Sequence, residues 1–207
     1  MRPYRGVSAE DRRAERRARL IAACLDVLGA DGVAGTTMKA ICARAGLTER
    51  YFYESFRDRD ELLVAAVDAV IAEIDAAMLE AVRRSPPDLL ERGRAAAGAF
   101  VAVLTGDRRK GRAFLEAVGN EALKERHAAG VHRYAAVLAA QMRELHGLAE
   151  PRHEARLRIA TLIIVGGTAQ AVGGWLDGTI AMSREEFVDE LARLCVAAAD
   201  VVKTAPV

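Results

Sequence analysis

Four side chains with hydrogen-bonding groups suited to nucleic acid lie between residues 37 and 53 of the sequence. Arg50 carries a planar guanidinium, which can donate two hydrogen bonds to a guanine edge in the major groove and discriminate between bases by about 1–3 kcal/mol. Tyr53, Thr37 and Thr48 carry hydroxyls of the kind that bind phosphate oxygens and so fix the register of a protein on the duplex. With their polar neighbours, the candidate DNA contacts are Thr37, Thr48, Glu49, Arg50, Tyr51 and Tyr53.

A helix-turn-helix is the element that these side chains require. Thr37 opens a predicted helix through Arg44, Gly46 turns the chain, and Thr48 opens a second short helix to about Phe56. The polar candidates then fall at the N-terminal end of the second helix, which is the end that enters the major groove in proteins of this type. Apolar residues occupy the positions that the packed side of such a unit needs: Met38, Ile41, Cys42, Leu47, Phe52 and Phe56.

The same stretch, within residues 10–63, resembles the DNA-binding region of the TetR (tetracycline repressor-like) family of bacterial transcriptional regulators. Cys42 replaces an alanine that is usual in the family. The pair Arg50 and Tyr51 replaces the small pair that is common in the family's recognition helix, so the operators of relatives do not transfer to this chain. The resemblance implies that Arg57 and Arg59 lie near the DNA backbone. The matching positions are Thr37, Ile41, 45–48 (AGLT), 52–56 (FYESF) and 57–63 (RDRDELL).

The fold class that we expect is all-α. Prolines are confined to positions 3, 86, 87, 151 and 206, and proline is the residue that a helix interior tolerates least. Apolar periodicity and capping signals predict further helices over about 10–30, 58–85, 88–104, 121–146, 151–177 and from 183 onwards, with a basic connection at 107–112. We expect residues 1–60 to form a three-helix DNA-binding domain with a flexible N-terminal arm, and residues 61–207 to form a larger effector-binding and dimerisation domain.

The resemblance also implies that the C-terminal domain forms a homodimer through its last two long helices and binds a small effector. Small residues recur after Pro151 at spacings that would let a second helix approach closely, although the same residues could pack inside one chain. The predicted dimer interface is Gly166, Ala169, Gln170, Gly173, Leu191, Leu194, Cys195 and Ala198. The predicted pocket, for an apolar or amphipathic effector, is Met78, Phe100, Phe114, Leu115, Asn120, His127, Tyr134, Gln170 and Trp175, each of which could instead be ordinary core.

The charge distribution is typical of a specific DNA-binding protein rather than a non-specific coat. Thirty Lys and Arg residues balance 29 Asp and Glu residues, for a net charge of +1, whereas a non-specific coat is strongly basic throughout. Residues 1–19 contain seven arginines and three acidic residues, a local charge of +4. Two interpretations fit this cluster equally, a solvated helix face or contacts to phosphates or the minor groove. Its helical members are Arg12, Arg13, Arg16, Arg17 and Arg19.

Composition and motifs argue against enzymatic, metal-binding, secreted and membrane classes. The serines fall mostly at predicted caps and turns, no two histidines are four residues apart, and no phosphate-binding glycine motif occurs. We therefore expect no catalytic site, no metal and no cofactor. Three separated cysteines and the lack of a signal peptide favour the cytoplasm. Residues 159–176 are uncharged over the minimum length of a membrane span, but their glycines and polar residues favour a buried helix.

The sequence therefore predicts a homodimeric, ligand-released repressor that binds a palindromic operator in double-stranded DNA. The alternative is a helical small-molecule-binding or adaptor protein that has no specific DNA target. Specific DNA binding is the property that distinguishes the two.

Overall fold

The computed structural model describes residues 8–119 and 123–204, and these residues form nine α-helices and no β-strand. The predicted all-α class is confirmed. A short 3₁₀ turn, Pro151–His153, precedes the eighth helix. The helices are α1 Ala9–Gly35, α2 Met38–Ala45, α3 Glu49–Tyr53, α4 Arg59–Arg84, α5 Leu89–Gly106, α6 Arg108–Gly119, α7 Lys124–His146, α8 Glu154–Leu176 and α9 Arg184–Thr204.

Capping side chains set several helix ends where the sequence predicts them. The Ser183 hydroxyl accepts from the Glu186 amide at 3.2 Å, and the Glu186 carboxylate accepts from the Ser183 amide at 2.9 Å, so the predicted capping box that opens α9 is confirmed. Two expectations were wrong. The recognition helix α3 ends at Tyr53 rather than Phe56, and Arg108 already begins α6 within the stretch expected to be a connection.

The chain divides into two compact units. One contains residues up to Ile71 together with Asp107–Ala117, and the other contains Ala72–Gly106 and the residues from Val118 onwards. The expected boundary at residues 60 and 61 falls in the first turn of α4, whereas the units divide inside that helix, after Ile71. The assignment of DNA binding and effector binding to separate domains stays a prediction.

The first unit is built on α1, against which α2 and α3 pack. The α1 face that contains Leu20, Cys24 and Leu28 is completely buried, as are Ile41 of α2 and Phe52 of α3. Burying an aliphatic or aromatic side chain of this size contributes roughly 1.5–3 kcal/mol. Helix α1 and the two helices of the helix-turn-helix, α2 and α3, therefore share one core.

The second unit consists of long helices that pack in unequal ways. Helix α5 packs closely on α9, and α7 packs on α8, but α5 meets α7 at only a few points. The close approach of α5 to α9 depends on Gly93, because a Cβ at this position would lie 3.3 Å from the Cα of Ala192. Leu89, Met142 and Leu157 belong to the aliphatic core of this unit.

Helix α6 contacts α1 at Gly29, within the first unit. A Cβ at Gly29 would lie 3.0 Å from the Cα of Arg109 and 2.9 Å from its Cγ. The Arg109 guanidinium also pairs with Asp26 of α1 and, at 2.6 Å, with Asp107. A backbone atom cannot move aside as a flexible side chain can, so residue 29 has no room for a side chain.

We expect Gly29→Ala to destabilise the protein by about 1–3 kcal/mol, the usual cost of forcing a methyl group into a filled site. Chemical denaturation followed by circular dichroism measures the change. Gly130→Ala is the matched control, because residue 130 also lies inside a helix but has no atom within 4 Å of its Cβ position. The control should gain up to about 1 kcal/mol from the better helix propensity of alanine. Equal stability of the two variants would show that α6 does not press on α1 at this point.

Candidate nucleic-acid interface

The turn between α2 and α3 has the backbone geometry that a helix-turn-helix requires. Gly46 lies in the left-handed region, with φ 62° and ψ 38°, where a side chain would be strained. The Leu47 amide donates to the Cys42 carbonyl at 3.0 Å, which closes the end of α2. Thr48 then takes the extended conformation and α3 begins at Glu49. The turn therefore directs α3 away from the axis of α2 within three residues.

Helix α3 buries one side chain and exposes the predicted contacts. Phe52 is fully buried, whereas the Arg50 side chain is 85% exposed and Tyr53 is 60% exposed. Tyr51 is 36% exposed. The structure therefore presents the polar tips of one short helix to solvent, as a base-reading element requires.

The two predicted threonines differ in what their hydroxyls already do. Thr37 caps α2, and its Oγ1 accepts from the Ala40 amide at 3.2 Å, so its own O–H can still donate to a phosphate oxygen. Thr48 occupies the N-cap position of α3 without a side-chain capping bond, and it is exposed. Both hydroxyls can therefore donate outward without breaking a cap.

Glu54 ties the recognition segment to the first helix. Its carboxylate accepts from Arg16 of α1 at 3.3 Å and from Nε of Arg50 at 3.3 Å, while its main-chain carbonyl accepts from Arg13 at 2.5 Å. The Arg16 guanidinium also lies 4.6 Å above the Tyr51 ring, a cation–π contact. Glu54 was not among the predicted site residues, and only its spacing of four from Arg50 pointed to it.

Two further arginines of α1 bind inside the same unit. The Arg17 guanidinium lies 4.8 Å from the centre of the Phe56 ring, and Arg19 donates to the main-chain carbonyl of Ala45 at 2.6 Å. Neither interpretation of the basic cluster anticipated this arrangement. Arg16 is half-buried in these contacts, whereas Arg13, Arg17 and Arg19 contact residues 45–56 and remain exposed to solvent.

The arginines after the recognition helix are exposed but paired. Arg57 is 83% exposed, and its Nε donates to Asp58 at 2.9 Å, while Arg59 pairs with Asp60 at 2.8 Å. The pKa of Asp58 is lowered because its carboxylate accepts from the Glu61 amide and from Arg57. Each phosphate contact by these arginines must therefore compete with an adjacent carboxylate.

Lys39 is a candidate that the sequence argument missed. It is exposed on the first turn of α2, two residues after Thr37, and no carboxylate of the described residues pairs with it. A lysine in the first turn of the first helix of a helix-turn-helix, about 160° around the helix from Ile41, was the available signal. Its ammonium is suited to a phosphate contact.

The predicted effector residues are not brought together into one described cavity. Phe114 and Leu115 belong to the first compact unit, Met78, Phe100, His127, Tyr134, Gln170 and Trp175 belong to the second, and Asn120 lies outside the described residues. A surface concavity of the second unit has none of them in its lining, which is Arg94, Gly98, Arg184, Glu185, Val188 and Asp189.

Two of the predicted pocket side chains are already bound within the second unit. Trp175 stacks on Phe187 with ring centres 5.2 Å apart, and its Nε1 donates to the Met182 carbonyl at 3.0 Å. The Tyr134 hydroxyl donates to Asp75, and burial raises the Tyr134 pKa to about 12. Within residues 8–119 and 123–204, no group of three or more His, Cys, Asp or Glu side chains is arranged to hold a metal ion.

The predicted dimer residues fall on two different sides of their helices. Ala169 and Leu191 are buried inside the chain, at 9% and 8% exposure, so in these two cases the alternative of intrachain packing is the one observed. Gln170 and Leu194 are exposed, and Gly166, Gly173, Cys195 and Ala198 are half-buried. The large apolar residues that do reach the surface of α8 and α9 are Ile159, Ile163, Leu194 and Val201.

Helix α8 is unusually apolar for its exposure. Together with the preceding turn, Pro151–Leu176, it is long and apolar enough to cross a membrane by length and composition, but a single helix of this kind is weak evidence for a span. Only 17% of its most apolar window is buried inside the chain. The exposed Ile159, Ile163, Gly167 and Gln170 follow one another at helical spacing, so they share a face.

Comparison with known proteins gives one family-model match, and it covers the helix-turn-helix. The family model described as "Bacterial regulatory proteins, tetR family" matches residues 20–66, which include α2, α3 and the turn between them. No curated protein sequence is similar enough to this chain to count as a relative. The match therefore includes all of the predicted DNA contacts, from Thr37 to Arg59, and it does not extend beyond residue 66.

Solved structures extend the similarity of fold over almost the whole chain. A transcriptional regulator from Pseudomonas aeruginosa PAO1 is 22% identical, with a TM-score of 0.73 over 95% of this chain and 99% of that one. A TetR-like regulator from Rhodococcus sp. RHA1 is 19% identical, with a TM-score of 0.67 over 93% and 98%. FadR of Bacillus subtilis in complex with stearoyl-CoA is 18% identical, with a TM-score of 0.71 over 87% and 98%.

We expect Arg16→Ala to lower the free energy of unfolding by about 1–2 kcal/mol, because it removes an ion pair and a cation–π contact that are both partly shielded from water. Urea denaturation measures the loss. Arg50→Ala is the matched control, since Arg50 is 85% exposed and should change stability by less than about 0.5 kcal/mol. An Arg16→Ala variant as stable as the Arg50→Ala variant would return Arg16 to the solvated-face interpretation.

Proposed function

We propose that this chain, in which residues 20–66 match the family model of tetR-type bacterial regulatory proteins, is a ligand-released repressor that binds a palindromic operator as a homodimer. The observation that supports this best is the contrast on α3 between the buried Phe52 and the exposed Arg50 and Tyr53. An exposed guanidinium and an exposed hydroxyl on a second helix that is held by a buried phenylalanine are placed as the base-reading side chains of helix-turn-helix proteins are.

The proposed base contact is made by Arg50, and the proposed phosphate contacts are distributed around it. Glu54 holds Arg50 through Nε only, so the terminal nitrogens remain able to meet a guanine edge. Thr37, Thr48 and Tyr53 supply hydroxyls for phosphates, and Glu49 and Tyr51 complete the contact surface. Lys39, Arg57 and Arg59 add positive charge at its margin.

The exposed apolar residues of α8 and α9 support a homodimer. Ile159, Ile163 and Val201 are each at least 60% exposed, and burying such side chains against a second copy gains roughly 25 cal/mol for each Å² removed from water. The interface that we propose includes Gln170 and Leu194 from the predicted set, but it replaces Ala169 and Leu191 with these isoleucines and Val201. Two recognition helices would then read half-sites about 10 base pairs apart, or a multiple of that.

Release by a ligand is the proposed regulation. Helix α4 belongs to both compact units, since they divide after Ile71, so a ligand that shifts α4 would move the recognition helices of a dimer out of register. A coupling of only 1–3 kcal/mol changes occupancy about 5–150-fold. The effector that we propose is small and apolar or amphipathic, and the protein acts in the cytoplasm without a cofactor or catalytic step. FadR of Bacillus subtilis, a structural neighbour, was solved with stearoyl-CoA bound.

We expect the purified protein to bind the DNA beside its own gene specifically, and Arg50→Ala to weaken this binding about 10- to 100-fold, since a bidentate arginine–guanine contact contributes about 1–3 kcal/mol. Fluorescence anisotropy with labelled duplexes measures both. Tyr53→Phe removes one hydroxyl that we assign to a phosphate. It should weaken binding to specific and non-specific DNA by the same factor, and that factor should be smaller than the one for Arg50→Ala.

The control for this experiment is Tyr134→Phe, which removes a hydroxyl outside the matched region. Specific binding that survives Arg50→Ala unchanged would refute the assigned base contact. Complete lack of specific DNA binding would instead favour the alternative, a helical small-molecule-binding or adaptor protein.

We expect the wild-type protein to be a dimer by light scattering, and Ile163→Glu to convert it to a monomer, because two carboxylates would be buried in the proposed interface. Leu79→Glu is the matched control, since Leu79 of α4 is 62% exposed and Ile163 is 67% exposed. The Leu79→Glu variant should remain a dimer. A wild-type monomer would contradict the proposed interface, and recovery of the wild-type protein in membranes would instead give α8 a lipid partner.

A further inference from the structure

Arg92 of α5 is a half-buried cation whose partner is not an acid. One terminal nitrogen donates to the side-chain oxygen of Gln141 on α7, and the buried Nε makes no hydrogen bond. Of the described residues, none gives Arg92 a carboxylate. A buried donor without an acceptor costs free energy, and a half-buried charge next to a neutral amide is only partly compensated.

Other arginines of the second unit show what compensation normally looks like here. Arg94, two residues along α5, binds Asp189 at 2.7 Å and Glu91 at 2.6 Å, and the half-buried Arg143 of α7 binds Glu154 at 2.7 Å. The Nε edge of Arg92, which makes no hydrogen bond through Nε, is one of the two edges by which a guanidinium binds a carboxylate in bidentate geometry.

The face of α5 that contains Arg92 is lined by small apolar side chains. Ala96, Ala99 and Val103 follow Arg92 at spacings of four, seven and eleven, so they share its face, and all of them are half-buried. From Arg92 to Val103 the face is about 16 Å long at a rise of 1.5 Å per residue. Leu89, one turn before Arg92, belongs to the aliphatic core with Met142.

Helix α9 lies on the other side of α5. A Cβ at Gly93 would lie 3.3 Å from the Cα of Ala192 of α9, and a Cβ at Gly98 would lie 3.9 Å from Cγ1 of Val188 of α9. Around the helix, Gly93 and Gly98 lie about 100° and 120° from Arg92, on either side, at 100° per residue. Helix α7, to which Gln141 belongs, meets α5 at only a few points. The Arg92 face is therefore the loosely covered side of α5.

We propose that this face of α5 binds a single-tailed amphiphile with a carboxylate head group, and that Arg92 binds the carboxylate. The alkyl chain lies along Ala96, Ala99 and Val103, and the side chains that now cover Nε of Arg92 move aside when it binds. The charge selects an anion, and the apolar surroundings select a long tail rather than a small polar ion. This inference rests on the proposed function, in which the second unit binds the effector, and it specifies the chemical class of that effector.

Isothermal titration of the full-length protein with dodecanoate, dodecanol and dodecyltrimethylammonium, each below its micelle concentration, tests the proposal. The tails are the same, so the head group alone differs. We expect dodecanoate to bind at least about tenfold more tightly than the other two, the lower end of what a hydrogen bond to a charged group contributes. Equal binding of all three, or no binding of dodecanoate, overturns the proposal.

Variants at the arginine separate a binding role from a structural one. Arg92→Gln should lose the preference for dodecanoate, whereas Arg152→Gln, at an exposed arginine of the same unit, should keep it. Gln141→Leu removes the other half of the pair and should retain dodecanoate binding, because the head group then supplies the acceptor. If Arg92→Gln and Gln141→Leu lose binding equally, or if Arg92→Gln binds dodecanoate as the wild type does, Arg92 has no head-group role.

A DNA-release assay distinguishes failure of this inference from failure of the proposed function. Dodecanoate that binds through Arg92 without releasing operator DNA upholds the site and contradicts ligand release by this class of compound. Release of DNA by an amphiphile whose effect is the same in the Arg92→Gln variant upholds ligand release and overturns the head-group assignment.

Discussion

The support of α3 by α1 is the constraint on which the DNA-binding surface depends. A helix of five residues, Glu49–Tyr53, is too short to be stable by itself, because nucleation fixes several residues for very few hydrogen bonds. Its position is therefore set from outside, by the burial of Phe52 and by the contacts of Arg13 and Arg16 with Glu54. The exposed side chains of α3 are only as well oriented as these contacts make them.

The sequence predicts the elements of the first unit well because their signals are local. Thr37, Gly46 and the pair Phe52 and Phe56 act within a few residues of their own positions, through capping, turn geometry and helical spacing. The partners of the α1 arginines are different in kind. Arg13 and Glu54 are 41 residues apart, and nothing in the local pattern distinguishes an arginine that faces water from one that donates to a distant carbonyl.

The second unit was harder to predict for a related reason. Helix α8 is apolar on nearly all sides, so the pattern does not tell which side faces the rest of the chain. The expected interface took Ala169 as outward-facing because it is small, but Ala169 packs inside, and the bulky Ile159 and Ile163 are the exposed residues. Where a helix has no polar face, only its neighbours decide its rotation. The partner of Arg92 could not be predicted for the same reason, because it is Gln141 of α7 and not a residue of α5.

The use of arginines inside the first unit has a consequence for how strongly a single copy can hold DNA. Non-specific affinity grows with the number of cations free to neutralise phosphates, and here Arg57 and Arg59 pair with adjacent acids while Arg16 and Arg50 share the carboxylate of Glu54. Of the exposed basic residues on α2 and α3, Arg44 lies 3.9 Å from Asp26 and Arg50 pairs with Glu54, whereas Lys39 has no carboxylate partner among the described residues. A DNA-binding domain with few phosphate contacts gains affinity when two copies are joined, because the second copy binds at a high effective concentration once the first has bound DNA. The pairing of cations with acids in the first unit and the exposed apolar residues of the second therefore both favour the proposed homodimer, in which a ligand that changes the spacing of the two recognition helices would weaken DNA binding at both half-sites.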